Sequence, residues 1–181
     1  MTRSLQMGPG IFPEIDYGDE DALLHAEHLI DSLFSSGLKE IAGIYRLASR
    51  IKNSYDRLEP FFTRFTGPVC ARCVTGCCVN RHGFPDYEDM VIFRALRVRR
   101  QGFDPTLPDQ EPCQYLEKRG CRLERYQRSY RCTWYFCDRV LNRFEKEQLE
   151  EYRKFRACCQ ELASERQHLL TCFGRMIGWR F

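Results

Sequence analysis

No stretch of this chain approaches the roughly 20 apolar residues that a membrane-spanning helix needs. The opening residues, MTRSLQMGPGIFPEIDYGDE, lack the apolar core of a secretory signal. These absences imply a cytoplasmic protein with no membrane partner, in a compartment that keeps thiols reduced. The net charge is only +3 over 181 residues, too small for nucleic-acid binding driven by charge alone. There are no internal repeats and no low-complexity tracts. Neither glycine nor proline interrupts residues 138–173.

What the chain does have is 11 cysteines. That density is below a small disulfide scaffold, and a chain this long has no need of one. The odd number also leaves at least one thiol outside any fully paired scheme. Four of them fall in Cys70–Cys78, CARCVTGCC, spaced C-x2-C-x3-C-C, and four more follow at Cys113, Cys121, Cys132 and Cys137. Thiolates two or three residues apart in a short loop can converge on one soft metal ion or one iron–sulfur cluster. Eight thiolates suffice for two tetrahedral zinc sites, or for one cluster with four left over. Neighbouring side chains tend to point apart, so Cys77 and Cys78 either face one site each or include a non-ligand. Arginine supplies 23 of the 28 basic residues, and Lys118, Arg119, Arg122, Arg125, Arg128 and Arg131 lie between Cys113 and Cys137. Such runs are usually solvated surface. Here they would also offset the −2 charge of Zn2+ held by four thiolates.

The flanks read as helix. Residues 1–18, rich in glycine and proline, predict a flexible N-terminal arm ahead of a single domain over 19–181. Asp19 or Asp21 caps a helix carrying Leu23, Leu24, Leu29, Ile30, Leu33 and Phe34 that stops at Gly37. Leu38, Ile41, Tyr45, Ala48, Ile51, Tyr55, Leu58 and Phe62 then recur at steps of three and four, completing a helical flank over 19–66. Pro60 should kink or restart that helix, and Gly67 and Pro68 should end it. Within the cysteine-cluster region, 67–137, Asp86 caps a helix running to Arg100 and closed by Gly102. Turns and a small β-hairpin around Lys118–Gly120 are expected near the second cysteine group. From 138 to 181 one long helix should pack on the helix of residues 38–59, with the cysteine-rich centre between them. The fold class is therefore mainly α: a helical bundle framing an irregular cysteine-rich centre.

CARCVTGCC, the FPDYEDM helix start and PCQYLEKRGCRLERYQRSYRCTWYFC together resemble the YkgJ-type cysteine-cluster family, a zinc- or iron-chelating domain. The resemblance covers about residues 70–137 and leaves both helical flanks outside it. Carried over position by position, it implies metal ligation by Cys70, Cys73, Cys77, Cys78, Cys113, Cys121, Cys132 and Cys137. Where relatives have Arg-Pro before the third distal cysteine, this chain has Arg128-Ser129, so a different turn is possible there. The cysteine domain of a flagellin lysine methylase is also similar. However, this chain has no glycine-rich nucleotide loop after a strand and no room for a separate catalytic domain.

The resemblance implies a metal-binding protein with a structural, regulatory or electron- or metal-carrier role and a protein partner. The cofactor is an iron–sulfur cluster, slightly preferred, or zinc. The alternative is a redox or methyl-transfer enzyme component acting at the metal; no catalytic residue can be named. Nucleic acid would rest only on Arg94, Arg97, Arg99 and Arg100, a run that core-type residues interrupt. Cys158, Cys159 and Cys172 lie outside the family pattern and read as core filling. His82 reads as a loop residue beside the site, and His25 and His28 as surface histidines. Capping accounts for Asp86, Glu88 and Asp89 without invoking a general base. Trp134, Tyr135 and Phe136 read as a wall screening the site from water.

Overall fold

Asp19 opens the first helix: its Oδ1 accepts the Ala22 N–H at 2.9 Å, satisfying one of the donors a helix start leaves unpaired. In the computed structural model, which describes residues 12–70, 72–73, 76–118, 120–147 and 149–178, α1 spans Glu20–Ser35 and Gly37 follows at φ +73°. Leu23, Ile30 and Phe34 are buried, whereas Leu24 and Leu29 face outward. Of the expected arm, residues 1–11 lie outside the described residues. Phe12 is buried and stacks on Tyr87 with ring centres 5.1 Å apart, so ordered packing begins before Asp19.

The helix α2, Ile41–Phe61, buries Ile41, Ile44, Ala48, Ile51, Tyr55 and Leu58. It runs through Pro60 and widens into a π-helical turn, Phe62–Thr66, closed by the Gly67 N–H donating to the Phe62 carbonyl. A missing N–H at Pro60 frees a carbonyl, and the widened turn takes up the distortion. Contrary to expectation, Gly67 and Pro68 do not end the helical path. They start a further turn, α3 (Gly67–Cys70), where a proline near the start gives up no hydrogen bond.

A short turn, α4 (Asn80–Gly83), leads to α5 (Tyr87–Ala95), capped by Asp86, whose Oδ1 accepts the Asp89 N–H at 2.8 Å. This helix stops at Ala95, five residues before the expected Arg100. Arg97 adopts φ +58°. The Val98 N–H donates to the Phe93 carbonyl (2.9 Å) and the Arg97 N–H to the Arg94 carbonyl (3.0 Å). That pairing is a Schellman stop with arginine where glycine is usual. The predicted hairpin is present as β1 (Leu116–Glu117) and β2 (Gly120–Cys121), antiparallel with Leu116 opposite Cys121. A turn α6, Arg131–Trp134, follows.

The expected single C-terminal helix is described as two stretches, α7 (Asp138–Glu147) and α8 (Leu149–Met176), and residue 148 between them lies outside the described residues. Phe144 is fully buried, stacked on Phe155 of α8 at 4.5 Å and against Phe65 at 4.2 Å. Both helices thus contribute rings to one aromatic cluster. Along α2 and α8, Arg50 and Ser54 meet Glu165, Arg57 meets Glu161, and Arg64 meets Glu151, which makes the pair antiparallel. The two helices touch directly, so the cysteine-rich segment lies beside them and not between them.

Asp89 of α5 ties these parts together. Its Oδ1 accepts from Arg166 Nη2 of α8 at 3.1 Å and from the Tyr130 N–H at 2.9 Å. Both side chains are buried, with exposures of 0% for Asp89 and 4% for Arg166. Burial pushes the Asp89 carboxyl up to about 7, with Arg166 and the Tyr130 N–H pulling the other way. The folded chain thus holds a proton that the unfolded carboxyl releases near pH 4. The stability this group contributes falls as pH rises from about 4 to about 7, and Asp89→Asn should flatten that slope in urea unfolding across the same range. Arg166→Met, which strands the carboxyl, should cost about 3–5 kcal/mol at pH 8 in the same measurement.

Candidate metal centre

Two short backbone pairings bring the cysteine groups together. Cys70 closes α3, and the Cys73 N–H donates to the Cys70 carbonyl at 3.1 Å, a turn that keeps the first two thiols on one side. Further on, the Cys113 N–H donates to the Cys78 carbonyl (2.8 Å), the Asn80 N–H to Glu111 (2.9 Å) and the Arg81 N–H to Asp109 (2.9 Å). Asn80 is buried and fastens this joint, its Nδ2 donating to Pro108 at 3.0 Å and its Oδ1 accepting the Gln114 N–H at 2.9 Å. Cys121 then arrives on β2 and Cys132 on α6. Cys137 lies just ahead of α7, where its carbonyl accepts the Val140 and Leu141 N–H groups.

Electrostatic influence among the sulfurs cuts across sequence order. Cys70 interacts with Cys77, Cys137 and Cys73. Cys132 interacts with Cys113 and Cys121, and Cys78 interacts with Cys77 first, then with Cys132, Cys70 and Cys113. Cys77 shares hydrogen bonds with both Cys78 and Cys137. The Cys77–Cys78 contact, with burial, pushes the Cys77 thiol up, and the same contact pulls Cys78 down towards thiolate. Burial raises Cys70 and Cys113 and carries Cys132 to about 12. None of the 11 cysteines is in a disulfide.

Arginines attend these thiols. Arg125 influences Cys70, and Arg139 Nη1 reaches Cys73 Sγ at 3.9 Å. Arg122 and Arg128 act on Cys113. Arg125 is itself buried: it donates to Glu59 Oε2 at 2.9 Å, and its guanidinium lies 3.4 Å from the Phe62 ring centre. A cleft of about 80 Å³ opens among these thiols, lined by Cys77, Cys78, Cys113, Cys121 and Cys132 together with His82 and Tyr135.

Among the described residues, no three Cys, His, Asp or Glu side chains stand in an arrangement that would hold a metal ion. The chemistry of the donors nonetheless fits soft-metal ligation. All eight are thiols, with cations alongside.

The remaining candidates divide. His82 belongs to α4 and lines the cleft; its Nδ1 donates to the Cys77 carbonyl at 2.9 Å, which leaves Nε2 the lone pair, and burial lowers its pKa. Asp86 is a cap, as read, whereas Asp89 is a buried anchor that capping logic did not reveal. Of the expected aromatic wall, Tyr135 does line the cleft, with its ring 4.7 Å from that of His82. Phe136 packs the other way, on Phe62 (5.6 Å) and Phe155 (5.4 Å). Trp134, Cys158, Cys159 and Cys172 pack against the core, and His25 and His28 are exposed. Arg128 takes φ −92°, ψ 153°, the extended conformation a proline would impose on its predecessor. Serine at 129 therefore keeps that turn extended. Arg125, Asn80 and Gly83 were not legible from spacing, because each acts through distant partners.

Comparison with protein-family models, curated proteins and solved structures gave no match. Gly83 offers a local test of how tightly the Cys113 thiol is held. A Cβ there would stand 2.8 Å from Cys113 Sγ and 3.5 Å from Phe103. Gly83→Ala should therefore displace the Cys113 thiol and cost about 1–3 kcal/mol in urea unfolding. Labelling of Cys113 by a thiol reagent should quicken.

Proposed function

We propose that the protein binds metal through two four-thiolate centres, one drawn from Cys70, Cys73, Cys77 and Cys137, the other from Cys78, Cys113, Cys121 and Cys132. The observation that supports this is that thiols far apart in sequence lie within electrostatic reach of one another: Cys137 acts on Cys70 together with Cys77 and Cys73, and Cys113 and Cys121 act on Cys132. Each set is a complement for one tetrahedral zinc or one iron–sulfur cluster. Zinc would supply a redox-inert clamp, and a cluster a one-electron couple. Membership of the YkgJ-type family is part of the same proposal, with the resemblance in spacing as its support. The role is structural, regulatory or that of an electron or metal carrier, acting on a protein partner in the cytoplasm. Arginines beside each set balance the charge such centres carry.

The cleft among the thiols favours one further reading, a redox or methyl-transfer component whose substrate reaches the metal there. An open coordination position would mark that case, since structural sites are closed. Metal analysis and absorption spectra of protein purified without oxygen test the main reading. We expect stoichiometric zinc or iron, about half of it lost in Cys137→Ser and the other half in Cys121→Ser. Loss of all metal from either variant would mean one shared centre. A chain with neither metal that keeps its fold in chelator would overturn the proposal.

A further inference from the structure

A second cleft, of about 480 Å³, shares no lining residue with the thiol cleft. It lies between α1, α5 and the segment after α5, and its volume falls in the range of small-ligand pockets. Four arginines line it, Arg94, Arg97, Arg99 and Arg100, together with Glu27 and Asp31. Two of the four are already matched: Arg94 pairs with Asp31, and Arg100 Nη2 lies 3.3 Å from Glu27 Oε2. Four positive charges less two negative ones leave a formal +2 in the cleft, carried by Arg97 and Arg99. Both are exposed.

Arg97 is held in place at a conformational cost. It is the one non-glycine residue with positive φ among the described residues, at a helix stop where glycine is easier. Its guanidinium lies 4.5 Å from the ring centre of Tyr45, which steadies the head group. A strained backbone that delivers a charged side chain to a cavity is the pattern expected at a binding site. Met90 and Phe93, 4% and 5% exposed, give the cleft part of its apolar lining.

We propose that this cleft binds a phosphate monoester with an apolar body, the phosphate taken by Arg97 and Arg99 and the body lying on Met90 and Phe93. The charge selects the ligand. A phosphate monoester carries about −1.5 to −2 at neutral pH, which matches the surplus, and the planar guanidinium fork suits its oxygens. A bare inorganic anion would leave the apolar lining unused, and a neutral molecule would leave the arginines unmatched.

Calorimetric titration of the full chain with phenyl phosphate, inorganic phosphate, phenol and a short single-stranded DNA tests this. Phenyl phosphate should bind at least about tenfold tighter than inorganic phosphate, and phenol should not bind. Arg97→Gly relaxes the backbone, so it should melt no lower than the native chain while weakening phenyl phosphate at least about tenfold. Arg99→Ala, which removes no ion pair or hydrogen bond among the described residues, should weaken it similarly. Unchanged affinity in Arg99→Ala overturns the proposal, as does phenyl phosphate that binds no better than inorganic phosphate. DNA that displaces phenyl phosphate with a steep salt dependence also overturns it, and makes the cleft a nucleic-acid path.

Discussion

A single buried carboxylate holds three parts of this molecule in register. Asp89, in the first turn of α5, accepts from Arg166 on α8 and from the backbone of Tyr130, two residues before Cys132. In a medium that water does not reach, both attractions are stronger than at a surface, and so is the cost of leaving either group alone. The Arg166 guanidinium also lies 4.0 Å from the Tyr130 ring centre, so the same cation grips the cysteine-bearing segment twice. Arg125 makes a second tie from the other side, joining that segment to Glu59 and Phe62 at the end of α2. Between these two clamps, the positions of Cys121, Cys132 and Cys137 relative to the helices are settled before any ligand is considered.

The thiols themselves are arranged by backbone pairing. Residues 78–81 run antiparallel to 109–113, and Asn80 supplies hydrogen bonds that those loops would otherwise lack. The result brings the two cysteine groups within reach of each other: Cys137 acts on Cys70, and Cys78 interacts with Cys132 and Cys113 as well as with Cys77 and Cys70. That reach matters for the proposed metal chemistry, because each centre would bridge segments far apart in the chain and so stabilise the fold that presents it. Arginines beside both sets supply the compensating charge.

Arginine plays three separate parts in this chain. Arg125 and Arg166 are buried structural anchors, Arg122, Arg128 and Arg139 attend thiols, and Arg97 and Arg99 stand at a cleft remote from them. Their common property is a guanidinium that keeps its charge when half-buried and stacks on rings, as Arg97 does on Tyr45 and Arg125 on Phe62. Lysine, more strongly hydrated, would suit none of these places as well.

Much of the helical frame could be read from periodicity. The caps at Asp19 and Asp86, the buried stripe of α2 and the hairpin before Cys121 are local matters, decided by residues within a few positions of one another. The aromatic cluster that Phe144 forms with Phe65 and Phe155 was invisible because it joins residues from three separate elements. The early stop of α5 was hidden too, since arginine occupies the left-handed position where a reader looks for glycine. By itself the sequence determined that eight thiols come in two closely spaced groups and that helices surround them. Which thiol faces which, and that Asp89 and Arg166 lock the segment carrying Cys132, was decided only in the tertiary structure. Those pairings join residues dozens of positions apart, through contacts whose strength comes from burial that no local pattern records.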